Sequence, residues 1–109
     1  SLRSAIASFE ITRLSLDCAL ETVKQEMDAQ QGIGTAASIL KYVATELEQT
    51  RHDLLMDVYD QESLHWDSEQ LDIDRIPRDW LRSRAYTIEG GSSEVQLNII
   101  ARTVLGLPK

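Results

Sequence analysis

The segment best equipped for chemistry lies near the C-terminus, at Tyr86-Thr87-Ile88-Glu89-Gly90-Gly91-Ser92-Ser93-Glu94. Two adjacent glycines let another body approach the backbone closely. The serines that follow suit a helix cap, and the first turn of that helix leaves free N–H groups and a positive dipole end. Such a turn fits a phosphate, a carbonyl or another electron-rich ligand atom. The same residues describe an ordinary capped helix start equally well. The other candidates are poorer. His52 falls on a charged helix face and His65 in an acidic connection. Neither has Cys, His or Asp partners at metal-ligand spacing, so both read as surface histidines and no metal site is expected. Cys18, on an apolar stripe, reads as a small core residue. The sequence has no nucleophile elbow, no Ser-His-Asp order and no calcium-loop spacing.

The elements that must position this turn are helical. Leu2, Ile6, Phe9, Arg13, Leu16, Leu20, Val23 and Met27 follow a 4-3-4-3-4-3-4 spacing, which predicts one long helix over residues 2 to 29. A second stripe of Ala7, Ile11, Leu14 and Cys18 predicts burial between several neighbours. Gly32 and Gly34 supply its end, and Thr35 is a plausible N-cap for a second helix running to about Tyr59. Ala36, Leu40, Val43, Leu47, Leu54 and Val58 mark that helix's core face, and Lys41, Glu46, Glu48, His52, Asp53 and Asp57 its exposed face. Residues 60 to 74 lack a clean period and read as a surface connection with one helical turn. Pro77 suits the first turn of a third helix, Pro77 to about Thr87. A fourth helix opens at the Gly-Gly-Ser-Ser turn and closes at Gly106 and Pro108. The expected fold is an all-α, up-and-down bundle of two long antiparallel helices and two shorter ones.

Composition agrees with that class. The chain has 109 residues, 42% hydrophobic and 6% aromatic, with 5 Gly and 2 Pro, which excludes collagen, low-complexity linkers and most all-β sandwiches. One cysteine excludes an intrachain disulfide. The formal net charge is −7, and the acid excess lies between residues 46 and 79. Acidic surface of that kind argues against a nucleic-acid partner. No apolar run approaches the roughly 20 residues of a membrane span. Ser1 is not an initiator methionine, so the chain reads as part of a longer protein.

The C-terminal 22 residues carry a specific resemblance. Thr87-Ile88-Glu89-Gly90-Gly91-Ser92-Ser93-Glu94-Val95-Gln96-Leu97-Asn98-Ile99-Ile100-Ala101-Arg102-Thr103-Val104-Leu105-Gly106-Leu107-Pro108 resembles the end of the acyl-CoA dehydrogenase family, its bacterial branch in particular. Ala37-Ser38-Ile39-Leu40-Lys41 is similar to a helix of the same family. The resemblance implies that residues 1–109 are the C-terminal helical domain of a flavoprotein whose N-terminal helical and middle β domains lie outside this chain. It implies FAD as cofactor, acyl-CoA thioesters oxidised to 2-enoyl-CoA in fatty acid metabolism, and an electron-transfer flavoprotein or other acceptor. A cytoplasmic protein forming a homo-oligomer, dimer or tetramer, or a mixed assembly with a paralogue, is expected.

By the same resemblance, the Gly90 amide would polarise the thioester oxygen, Gly91 would line the acyl-CoA, and Ser92, Ser93 and Glu94 would contact FAD. The catalytic base of many members, a Glu in a Tyr-Glu-Gly-Thr turn, falls on Gly90. Glu89, one residue earlier, is the remaining candidate base in the turn. A Gly-Gly pair that members often place after the second helix, against a neighbour's FAD, is replaced here by Val58-Tyr59-Asp60-Gln61. Asp60 would repel a pyrophosphate there. Two alternatives stand beside the enzyme: a catalytically silent assembly subunit of the same family, and a free-standing helical interaction domain.

Overall fold

The computed structural model describes residues 1–29, 36–64, 66 and 71–108, and of residues 71–74 the backbone alone. Gly32, Gly34, Thr35 and His65, which figure in the expectations above, lie outside the described residues. Helix α1 spans Leu2–Asp28 and α2 spans Ala36–Tyr59, followed by a 3-10 turn at Asp60–Leu64. Helix α3 spans Leu71–Ser83 and α4 spans Ser93–Ile99, which widens into a π-helical turn at Ile100–Val104. No strand occurs among the described residues, so the all-α reading is correct. Both long helices fall within a residue or so of their expected bounds.

Helix α2 is the spine. Residues about 100° apart along a helix repeat on one face every three to four positions. Leu40, Val43 and Leu47 meet α1, and the opposite stripe of Lys41, Thr45, Gln49 and His52 faces α3 and α4. Lys41 and His52 were expected on a solvated face, and the structure corrects this. Lys41 and Gln49 are drawn in because each finds a hydrogen-bond partner on the turn before α4, which offsets the cost of leaving water, whereas Thr45 bonds back to its own helix.

Helix α1 packs chiefly against α2 among the described elements. Phe9, Arg13, Leu16 and Val23 of its seam are half-buried, whereas Ile11 and Leu14 of the second stripe are 66% and 55% exposed. The expected burial between several neighbours is therefore not supplied by the described residues. Cys18 is exposed and not a core residue. Val58, expected in the core of α2, is also exposed. Arg13, the polar member of the seam, is held by Glu10 and Asp17, each at 2.9 Å. The Glu10 hydrogen bond and charge raise the Arg13 pKa above its ordinary value.

The largest correction concerns α3. It starts at Leu71, so Pro77 sits inside the helix and not in its first turn. The stretch read as connection thus contains the helix's first turns, disguised by Asp72 and Asp74 beside Leu71 and Ile73. The helix also stops early, at Ser83, because the amides of Arg84, Ala85 and Tyr86 bond three residues back instead of four. At the chain's end, Leu105 N–H donates to the Ile100 carbonyl at 3.0 Å, the i→i+5 pattern of a π-turn. Gly106, at φ +66, ends it as expected.

Pro77 aside, no hydrophobic side chain among the described residues is buried; the other buried residues are His52, Ser63, Ser83, Ser93 and Gln96. The radius of gyration is 17.1 Å, against about 13 Å for a compact domain of this length. The described elements form a layer two helices deep, open on the α1 side.

Candidate functional site

The turn between α3 and α4 is built from the C-terminal end of α3 outward. Trp80 Nε1 donates to Asp53 Oδ1 at 2.6 Å, and Arg84 Nη2 donates to the same oxygen at 2.7 Å. The Arg84 guanidinium lies 4.9 Å from the Trp80 ring centre, so the three side chains lock α3 against α2. Ser83, fully buried, donates its hydroxyl to the Trp80 carbonyl at 2.7 Å. The chain then winds through residues 84–91, with the Ile88 and Glu89 amides both donating to Ala85.

Gly90 and Gly91 lie at φ +66 and +105, where L side chains are strained. Ser92 is extended at φ −64, ψ 162 and caps α4, accepting from the Val95 amide at 3.2 Å. Ser93 is buried, its amide donating to Thr87 and its hydroxyl donating to Glu46 Oε1 at 2.7 Å. Glu94 stays exposed in the first turn of α4. Among the described residues, the amides of Gly90, Gly91 and Ser92 have no protein partner. A Cβ built on Gly90 meets nothing within 4 Å, whereas one on Gly91 would come 2.6 Å from Gln96 Nε2. The structure thus presents three adjacent amides on a turn with open space above Gly90. The turn foreseen from sequence is where it was expected, and its residues are brought together.

Glu89 is in the turn but engaged. Its Oε1 lies 2.7 Å from Arg82 Nη1, with both side chains more than half exposed. That hydrogen bond, and then the Glu89 charge, raise the Arg82 pKa above its ordinary value. A cleft of about 490 Å³ runs beside the turn, lined by Lys41, Ala44, Thr45, Glu48, Tyr86 and Glu89.

What the sequence did not reveal is the clamp from α2. Lys41 Nζ donates to the Gly91 carbonyl at 2.6 Å and to the Tyr86 carbonyl at 3.3 Å. Gln49 Nε2 donates to Thr87 Oγ1 at 2.7 Å, and Glu46 holds Ser93. These partners lie 38 to 50 residues apart in sequence, with no local signal to join them. His52 was expected at the surface and is 5% exposed. Its Nε2 lies 3.2 Å from Arg51 Nη2, and its Nδ1 has no partner among the described residues. Burial, then the Arg51 charge, lowers its pKa below the ordinary 6.5, while Glu48 and Asp79 oppose that shift.

The segment after α2, Val58-Tyr59-Asp60-Gln61, has an unusual backbone. Asp60 stands at φ +45, among the described residues the non-glycine with positive φ. Ser63 closes this turn by donating to the Asp60 carbonyl at 2.6 Å. That backbone conformation suits glycine better than a residue with a side chain.

No group of three potential metal ligands occurs among the described residues. No described helix is long and apolar enough to cross a membrane.

The profile of the acyl-CoA dehydrogenase C-terminal domain matches residues 1–105. A curated relative, acyl-CoA dehydrogenase IpdE1 of Mycolicibacterium smegmatis, is 58% identical over 38 residues, 35% of this chain and 10% of that protein. The match therefore spans a small part of that relative's length. No solved structure matches the chain.

Proposed function

Because the chain belongs to the acyl-CoA dehydrogenase C-terminal domain family, we propose that it is the C-terminal bundle of an FAD-dependent acyl-CoA dehydrogenase and that the turn at residues 89–92 receives the thioester. The observation that carries this reading is the glycine pair at φ +66 and +105 with three adjacent amides that have no partner among the described residues. Removing an α-proton from a thioester moves negative charge onto its oxygen. A preorganised N–H aimed at that oxygen stabilises the charge where it develops. Gly90 supplies such a donor, and the absence of a side chain leaves the approach open. Gly91 lines the same approach.

FAD, when bound, supplies the acceptor for the β-hydride. The residues present fit a flavin at the rim of the turn: Ser92 and Glu94 remain accessible, and the free amides supply donors. Ser93 acts from inside, since its hydroxyl and amide are committed to Glu46 and Thr87. Glu89, tied to Arg82, fixes the turn against α3, and the base comes from another part of the full-length protein. The exposed apolar stripe of α1 supports an assembly with further domains, a second copy or a paralogue. Electrons leave to an electron-transfer flavoprotein or another acceptor.

The test is an anaerobic titration of the full-length protein with saturated acyl-CoA thioesters from butanoyl- to hexadecanoyl-CoA. Bleaching of the visible flavin band with formation of a 2-enoyl-CoA is the expected outcome. Thioester binding without bleaching would replace the enzyme by a silent subunit, and no thioester binding at all would remove the reading altogether.

A further inference from the structure

We propose that Lys41 is a positioning residue for the glycine turn, holding its amides in the orientation that receives the ligand. This rests on the reading of the turn given above. Two consecutive glycines have the widest conformational freedom of any dipeptide, so the turn does not hold its own shape. Its flanks are fixed: Thr87 by Gln49, and Ser93 by Glu46 and by its own amide bond to Thr87. Between those flanks, among the described residues, the anchor that reaches the glycines is Lys41, at 2.6 Å from the Gly91 carbonyl.

A peptide unit is planar and trans, so fixing the Gly91 carbonyl oxygen also fixes the Ser92 N–H on the opposite side of the same plane. The bond to Tyr86, 3.3 Å, ties the start of the turn to the same nitrogen. One ammonium, with three donors, thereby sets the distance between the two ends of the turn. A charge-assisted bond of this length is stronger than a neutral one. The anchor sits on α2, which packs against α1, α3 and α4, so the turn inherits the rigidity of the spine.

The experiment compares K41M, K41Q and K41R with G91V in the full-length protein. It reads acyl-CoA affinity across the same thioester series, retained FAD, kcat against KM, and backbone amide exchange of residues 84–97. Loss of the donor in K41M speeds exchange at Ser93 and weakens thioester binding or kcat by about ten- to hundredfold, the scale of one hydrogen bond to a charged group. Exchange within α2 stays as in the wild type. K41Q, which keeps most of the packing and lacks the reach to Gly91, behaves as K41M does and carries the test if K41M does not fold. K41R restores the charge and donors and recovers most of the loss. Unchanged exchange in the turn, or normal ligand binding in K41M and K41Q while G91V abolishes it, overturns the role of Lys41 and leaves the turn as the site. Normal binding in G91V removes the reading of the turn itself.

Discussion

Placing alanine at Gly91 and at Gly90 separates two kinds of strain that the sequence Gly-Gly does not distinguish. At Gly90, φ is +66 and the new methyl group meets nothing within 4 Å. The cost there is that of a left-handed residue alone, about 1 kcal/mol. At Gly91, φ is +105, outside the small left-handed well. That conformation costs an L residue of the order of 1–3 kcal/mol. The methyl group would also stand 2.6 Å from Gln96 Nε2, displacing a buried side chain that is 7% exposed. Moving it adds about 1 kcal/mol, the scale of a disturbed polar contact. Gly91→Ala should therefore cost about 2–4 kcal/mol and Gly90→Ala about 1. Amide exchange at Ser93, whose N–H bonds across the turn to Thr87, reads the difference locally in the full-length protein. It should accelerate roughly thirtyfold to several-hundredfold in Gly91→Ala and about fivefold in Gly90→Ala, since 1.4 kcal/mol is a factor of ten. Combining Gly91→Ala with Gln96→Ala should recover the collision part and leave the φ part. Equal acceleration in the two single variants, or strict additivity with Gln96→Ala, would refute this account of the turn.

Four further outcomes follow from the same geometry. Asp60→Gly should raise the stability of the α2 end by up to about 1 kcal/mol, read as slower amide exchange at residues 60–64, because φ +45 suits glycine; faster exchange would contradict it. The His52 pKa is lowered in the fold, so neutral His52 contributes fully above pH 6.5 and its contribution is lost as pH falls from there through the lowered folded value. Melting temperature should decline over that window in the wild type and decline less in His52→Gln. Asp53→Ala frees Trp80 Nε1 and Arg84 together and should cost about 1 kcal/mol in thermal stability, while Asp53→Asn, which keeps an acceptor, should cost about half of that. Glu89→Gln should leave turnover within about one order of magnitude, whereas loss of a general base costs about 10²–10⁴-fold.

The parts legible in the sequence were those written in apolar spacing and in glycine. The helices α1 and α2 and the turn at Gly90-Gly91-Ser92 are local patterns, and the structure has them in place, although Leu2, Ile6, Leu20, Met27 and Val58 of the two seams are exposed. The start of α3 was hidden because acids alternate with Leu71 and Ile73, and because Pro77 looks like a helix opener yet is carried within the helix. The inward face of α2 was hidden for a different reason. Lys41, Glu46 and Asp53 are read as solvated by type, but each, like Gln49, is bound to a group on the 80–93 stretch. Such partnerships are tertiary, and one chain's spacing does not encode them. The exposure of Ile11, Leu14 and Cys18 belongs to the same lesson, since periodicity marks an apolar face without saying what covers it.

The central claim is that the turn's backbone receives the thioester oxygen. The most direct test is a crystal structure of the full-length protein with FAD and a bound acyl-CoA, and in it the distance from the thioester oxygen to the Gly90 nitrogen. Hydrogen bonding to a developing oxyanion predicts about 2.7–3.1 Å. A thioester oxygen bound by other donors, with the Gly90 amide turned away from it, would contradict the account.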